Sequence, residues 1–208
     1  MLLLSGGPDS TTLAYWLAKE GFEIETLTFE FGEREGEADR IAAQRVVSDL
    51  KTHHRHVNMH GALQQLYQTE GPIHTLRDPD KDSCIVSFGA GYALSLAISA
   101  AQEAGIARLY YGVHVEDFSF RENTPEFFAS LSRAASIYWG KPFEICTPFL
   151  QMTKDEIVKL GNSLEVPWEH TWSCTTNSQT HCGECVSCRA RRQSFSNASV
   201  VDLTTYQK

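Results

Sequence analysis

Six residues, Ser5-Gly6-Gly7-Pro8-Asp9-Ser10, have the types and order needed to hold an anion. The short apolar run Met1–Leu4 leads into them, and a helix-like pattern follows at once. Gly6 and Gly7 can take positive φ and let the main chain approach a ligand. The helix start presents free N–H groups and the positive end of its dipole, and Ser5 and Ser10 add hydroxyls. This chemistry is phosphate binding, and the missing Gly-Lys-Ser/Thr separates the loop from the Walker A pattern. Two adjacent glycines alone would read as an ordinary turn; the strand, loop and helix together make the difference.

A second group is Cys174, Cys182, Cys185 and Cys188, four of the six cysteines, spaced C-x7-C-x2-C-x2-C. Thiolates two residues apart can grip one tetrahedral ion, and the other two close a four-sulfur shell, so the spacing predicts zinc. Disulfides and buried free thiols compete with this reading, but disulfides are disfavoured in a sequence that reads as an intracellular enzyme with no secretory signal. Four thiolates leave zinc no open position, which predicts a structural role. Cys84 and Cys146 read as small core residues. His53, His54, His56 and His60 invite a metal reading, since His54 and His56 would share one strand face; without an acidic partner in the pattern, solvated imidazoles are the plainer expectation.

The elements that must position these residues follow from apolar spacing. Met1–Leu4, Phe22–Phe29, Arg55–Met59, Arg108–Val113 and Phe143–Cys146 read as strands. Thr11–Lys19, Glu35–Leu50, Gly91–Glu103 and Pro125–Tyr138 read as helices, and Thr153-Lys154-Asp155-Glu156 is a capping box opening another helix to Leu160. Alternating strands and helices predict an α/β fold with a doubly wound parallel sheet, ligands lying at the carboxyl ends of the strands. With 208 residues and 42% hydrophobic content, the chain can bury one substantial core plus a small appendage. The expected division is residues 1–166 for an α/β domain and 167–208 for the zinc-binding module and tail.

The uncharged run Ile85–Ala101 is too short and too rich in small residues for a membrane span, and reads as a helix packed under the sheet. A net charge of −8 opposes extended contact with nucleic acid. The one basic group, Arg189, Arg191 and Arg192, reads as a solvated helix face.

Ser5–Ser10 resembles the SGGxDS signature of the PP-loop ATP pyrophosphatases, which bind ATP and cleave it between the α and β phosphates. Joined to the four-cysteine cluster, it resembles the QueC family, the 7-cyano-7-deazaguanine synthases of the queuosine pathway. Phe31-Gly32-Glu33-Arg34 is similar to that family's YGQR, Gly112 to Asp117 to its strand ending in aspartate, and Pro125-Glu126-Phe127 to its PEF. Thr153-Lys154-Asp155-Glu156-Ile157 is similar to TKxEI, while Thr171-Trp172-Ser173-Cys174 and His181-Cys182-Gly183-Glu184-Cys185 match the cysteine module.

The resemblance implies a PP-loop fold of the adenine nucleotide alpha hydrolase type and a cytoplasmic, homodimeric carbon–nitrogen ligase. That enzyme would adenylate 7-carboxy-7-deazaguanine and pass it to ammonia, giving amide and then nitrile, with AMP and pyrophosphate released. It implies ATP binding by Leu4, Ser5, Gly6, Gly7, Asp9, Ser10 and Thr11. Catalytic roles fall to Asp9, Ser10, Arg34, Asp117 and Lys154, substrate contacts to Phe118 and Glu126, and Mg²⁺ would accompany ATP on Asp9 and Asp117. Read plainly, Lys154 and Arg34 could be surface charges and Asp9 a helix cap.

The chain also departs from the family pattern. Val86-Ser87-Phe88-Gly89-Ala90 stands where VPGRN is usual, Asp117–Phe127 is one residue shorter than DYSGYPDCRPEF, and Glu35 replaces a histidine. A changed pocket on a kept phosphate loop resembles the QueC-like proteins of CBASS-type antiviral operons, in which the acceptor is a protein amine. A catalytically inactive nucleotide-binding, zinc-stabilised scaffold is the alternative from a different class.

Overall fold

A computed structural model describes residues 1–74, 84–85, 88–119, 121–176 and 179–207. In chain order the elements are β1 (Leu2–Leu3), α1 (Pro8–Lys19), β2 (Glu25–Glu30), α2 (Gly36–Leu50), β3 (His53–Asn58), α3 (His60–Tyr67), β4 (Ile73–His74) and β5 (Cys84–Ile85). There follow α4 (Gly89–Glu103), β6 (Arg108–Tyr110), α5 (Pro125–Trp139), β7 (Glu144–Cys146), α6 (Lys154–Ser163) and α7 (Val186–Ala198).

Five parallel strands form one sheet in the order β3-β2-β1-β6-β7. The chain winds outward from β1 in both directions, so the loop after β1 opens at the crevice where the winding reverses. Alternation along β1 splits the core: Met1 packs with Leu94, Ile98, Phe128 and Ile145 under α4 and α5, whereas Leu2 and Leu4 pack with Leu13, Leu17, Val46 and Ile157 under α1, α2 and α6. Helices therefore cover both faces, as a parallel sheet requires. In α4, Gly89, Ala90, Leu94, Ala97, Ile98 and Ala101 are buried, which fits the small-residue run read from sequence. No helix among the described residues is long and apolar enough to cross a membrane.

Several expectations need correction. Strand ends are shorter than hydrophobic runs: β2 starts at Glu25 and β6 stops at Tyr110, because pairing with neighbours, not side-chain type, sets a strand's length. The sequence reading missed α3 and the separate parallel pair of β4 and β5, and of α7 it had only the helix face carrying Arg189, Arg191 and Arg192. Arg191 is no surface residue; it is 1% exposed and bonded to Asp202, Thr171 and the Trp168 carbonyl. The β3 imidazoles do have partners: His56 Nε2 lies 3.2 Å from Glu30 and His54 Nδ1 2.9 Å from the Thr26 hydroxyl. Cys146 is half-buried and not a core residue, and the side chain of Cys84 lies outside the described residues.

Candidate active site

A 490 Å³ cavity opens at the carboxyl end of β1. Leu4, Ser5, Gly7, Asp9 and Ser10 line it, and both wings of the sheet contribute: Thr28, Phe29 and Phe31 from the β2 side, Tyr111, His114, Asp117 and Asn123 from the β6 side. The phosphate loop is shaped from within. Ser10 Oγ accepts from the Ser5 amide at 3.2 Å and donates to the Gly7 carbonyl at 3.3 Å, while Ser5 Oγ accepts from the Gly7 amide at 3.3 Å. Gly6 has φ +80°, and a Cβ there would stand 2.7 Å from both Ala42 Cβ and the Ala43 nitrogen, so α2 packs on the loop only because this residue is glycine.

Gly7 is the N-cap of α1, with Pro8 in the first turn and no side-chain cap bond. Asp9 therefore does not cap the helix. Its Oδ2 sits 3.3 Å from Lys154 Nζ and 3.8 Å from His114 Nε2, and its Oδ1 is buried with no partner among the described residues. Thr11 is fully buried behind the loop.

Lys154 and Asp117 reach the loop through one local device. Thr153 and Glu156 close the capping box of α6, and the Lys154 amide donates to Glu116 Oε1 at 3.2 Å, docking the turn at 115–119 on the helix start. That turn is also tied to α6 by the Val115 amide on the Met152 carbonyl, 3.0 Å. The Lys154 pKa is raised chiefly by the Asp9 carboxylate, so its ammonium is secure at neutral pH. Burial raises the Asp117 pKa, with Asp9 adding to it and His114, 3.4 Å from Asp117 Oδ2, opposing.

The β2–α2 loop and the first turn of α2 supply an acidic arc, Glu33, Glu35 and Asp39, whose shared placement sequence reading did not foresee. Burial, then the neighbouring carboxylates, pushes Glu33 up to about 7 and raises Asp39 as well. Like charges crowded against a half-buried wall favour protonation, which three acids in a row of otherwise polar sequence do not reveal. His114 was likewise missed, because one histidine after a strand carries no sequence signal until the fold sets it between two aspartates. Arg34 is half-buried and Glu126 exposed, and neither is among the residues lining the cavity; the Phe118 side chain lies outside the described residues.

The far wall comes from the cysteine module. The Trp172 amide donates to the Gly6 carbonyl at 2.9 Å, and Trp172, Ser173, Cys174 and Thr175 line the cavity. Cys174, Cys182, Cys185 and Cys188 place their sulfurs within 4.8 Å of one another, a cluster that could hold a metal ion. Main-chain amides point at these sulfurs: Cys185 and Glu184 on Cys182 at 3.3 and 3.4 Å, and Cys188 on Cys185 at 3.4 Å. Burial works against thiolates here, but these donors outweigh it and lower the pKa of Cys182 and Cys185. Cys185 also caps α7, so a helix N-terminus faces the cluster.

Comparison with known proteins agrees with this geometry. The chain is 34% identical to a 7-cyano-7-deazaguanine synthase of Campylobacter fetus over 99% of its own length and 96% of that protein. Against a 7-cyano-7-deazaguanine synthase of Methanoculleus marisnigri it is 33% identical, covering 99% and 97%. Among solved structures, NMN synthetase from Francisella tularensis superposes with a TM-score of 0.53 at 15% identity, over 95% of this chain and 82% of that one. The U34-tRNA thiolase NcsA from Methanococcus maripaludis, solved with its [4Fe-4S] cluster, gives 0.53 at 18% identity, over 94% and 63%. At those identities the two structures show a shared fold. The family model described as queuosine biosynthesis protein QueC matches residues 1–199, and the chain belongs to that family.

Proposed function

We propose that this protein spends ATP to activate the carboxylate of 7-carboxy-7-deazaguanine and passes the acyl group to a nitrogen nucleophile. The observation that carries this reading is the Lys154 ammonium, 3.3 Å from Asp9 beside the phosphate loop. A carboxylate is a poor acyl donor because its leaving group would be oxide. Its oxygen attacks the α-phosphorus, the bond to the bridging oxygen breaks, and pyrophosphate leaves with the electron pair, so that AMP becomes the next leaving group. Lys154 and the uncapped start of α1 stabilise the charge gathering on pyrophosphate. Because Lys154 and Asp117 stand on the β6 side, the acyl substrate belongs there and adenosine on the β2 side, along Leu27–Phe29.

Asp9 and Asp117 suit Mg²⁺. Carboxylate oxygens match a hard cation, Asp9 Oδ1 is buried with no partner among the described residues, and Asp9 is one of the groups that raise the Asp117 pKa. When bound, the ion would neutralise the phosphates. The four sulfurs suit zinc, for which a closed thiolate shell supplies a cross-link and no open position. One zinc per chain is expected in elemental analysis, lost in Cys182→Ser, with soluble yield falling more than AMP release per folded molecule. Iron in place of zinc would overturn this assignment.

The altered stretches at 86–90 and 117–127 support an acceptor larger than ammonia, such as a protein amine. With ATP, Mg²⁺, the carboxylate and ammonium, chromatography and mass spectrometry should find AMP and pyrophosphate but little nitrile. ADP with phosphate would refute the activation step, absence of turnover would favour a scaffold, and efficient nitrile formation would refute the larger acceptor alone.

A further inference from the structure

Two buried polar atoms of residues lining the β6 side of the cavity, Asn123 Oδ1 and His114 Nδ1, have no partner among the described residues. Asn123 lines the cavity and is 2% exposed; its Nδ2 donates to the Asp117 carbonyl at 3.5 Å, which leaves Oδ1 over, and Oδ1 meets no partner among the described residues. His114 lines the same wall and is 5% exposed. Its Nε2 faces the carboxylates of Asp117 at 3.4 Å and Asp9 at 3.8 Å, and its Nδ1 is buried with no partner among the described residues. Leaving a buried polar atom unsatisfied is costly, and folded proteins keep few such groups.

These two residues are not loosely held. Both are fastened to Asp117, and Asn123 directly precedes Thr124, whose side chain caps α5 by accepting from the Phe127 amide at 3.3 Å. The neighbouring Glu122 accepts from the Ala90 amide at 3.1 Å and fixes the same turn to α4. The Asn123 carbonyl oxygen, held in this turn and left without a donor among the described residues, suits a ligand edge that offers N–H groups.

We propose that Asn123, with His114 beside it, reads the donor edge of the substrate ring: the ring N–H and exocyclic amine of a 2-amino-4-oxopyrimidine. Adenine fits less well, because it offers a single donor group, its 6-amino group, flanked by acceptor ring nitrogens, where the 2-amino-4-oxopyrimidine offers two adjacent donors. The reacting carboxylate fits worse, since it would meet Asp117 as well. The proposal rests on the reading that the acyl substrate is a deazaguanine, and it assigns the recognition of that ring to a residue within the stretch where this chain departs from its family.

The test is calorimetric binding to the full chain of 7-carboxy-7-deazaguanine, of its analogue lacking the 2-amino group, and of a non-hydrolysable ATP analogue. The wild type should prefer the amino ring by about 10-fold or more. Asn123→Ala should lose about 10- to 100-fold in affinity for the amino ring and at most about 3-fold for its analogue, erasing the preference. Asn123→Asp, which keeps the oxygen acceptor, should retain the preference, and the ATP analogue should bind all variants alike. Equal loss for both rings, as a displaced buried water would give, or a preference surviving in Asn123→Ala, overturns the proposal. Weakened binding of the ATP analogue would place Asn123 with the nucleotide and also overturn it. If the wild type binds the ATP analogue but neither ring, the deazaguanine reading itself fails.

Discussion

Lys154→Met is expected to lower ATP turnover by about 100- to 1,000-fold while the chain stays folded, the range found when one preorganised group facing developing charge is removed. Lys154 opens α6 behind a complete capping box that does not use its side chain, so the helix survives the change. The ammonium, 23% exposed and 3.3 Å from Asp9, is held where charge accumulates and not in bulk solvent. The loss belongs in kcat more than in KM, because the ground-state phosphates already have the loop amides. Asp9→Ala and Ser10→Ala should each cost about 100-fold or more by other routes, the first by releasing Lys154 and the second by dissolving the braces on Ser5 and Gly7. The double variant Asp9→Ala with Lys154→Met should lose less than the product of the single losses, since the two act as a unit. A folded Lys154→Met enzyme with kcat within about 10-fold of wild type would remove Lys154 from the mechanism.

The largest effect on stability is expected at Arg191. Its guanidinium is 1% exposed and bonds Asp202 at 3.2 and 3.3 Å, Thr171 Oγ1 at 2.7 Å and the Trp168 carbonyl at 3.0 Å. Arg191→Met keeps much of the hydrocarbon but leaves the Asp202 carboxylate without its cation, and losing one partner of a buried ion pair costs about 3–5 kcal/mol. Arg191→Lys should rescue only part, because a single ammonium cannot serve a fork of partners. Burial works to raise the Asp202 pKa, yet Arg191 and the Tyr206 and Thr204 donors outweigh it and hold the carboxyl below 3.8. The folded pKa is thus depressed, so this stabilisation is complete above 3.8 and fades as pH falls through the lower folded value. Urea unfolding at neutral pH measures the loss, and a midpoint unchanged in Arg191→Met would contradict it.

The same arginine marks where sequence stopped being informative. Arg189, Arg191 and Arg192 look alike in a row, and what buries the middle one is Asp202 eleven residues on together with oxygens contributed from 168–173, none of which a local pattern encodes. The phosphate loop, the capping box and the cysteine spacing were legible because each is a short-range device whose function lies in consecutive residues. Asp9, Lys154 and Asp117 could be named but not joined, since their meeting depends on the Glu116 and Val115 bonds to the start of α6. α3 went unread because eight residues give too few turns for a period to emerge, and the bounds and buried face of α7 because that face includes Arg191, Ser194 and Cys188 as well as Phe195.

The bond from the Trp172 amide to the Gly6 carbonyl has a consequence for how the protein matures. A ribosome delivers Gly6 early and Trp172 late, and a contact of such separation in sequence forms only after the chain between has collapsed. The nascent phosphate loop therefore waits for its far wall. Closure of the cavity is then a late milestone of biogenesis, timed by docking of the cysteine module, and a stalled polypeptide carrying an intact loop would lack that wall.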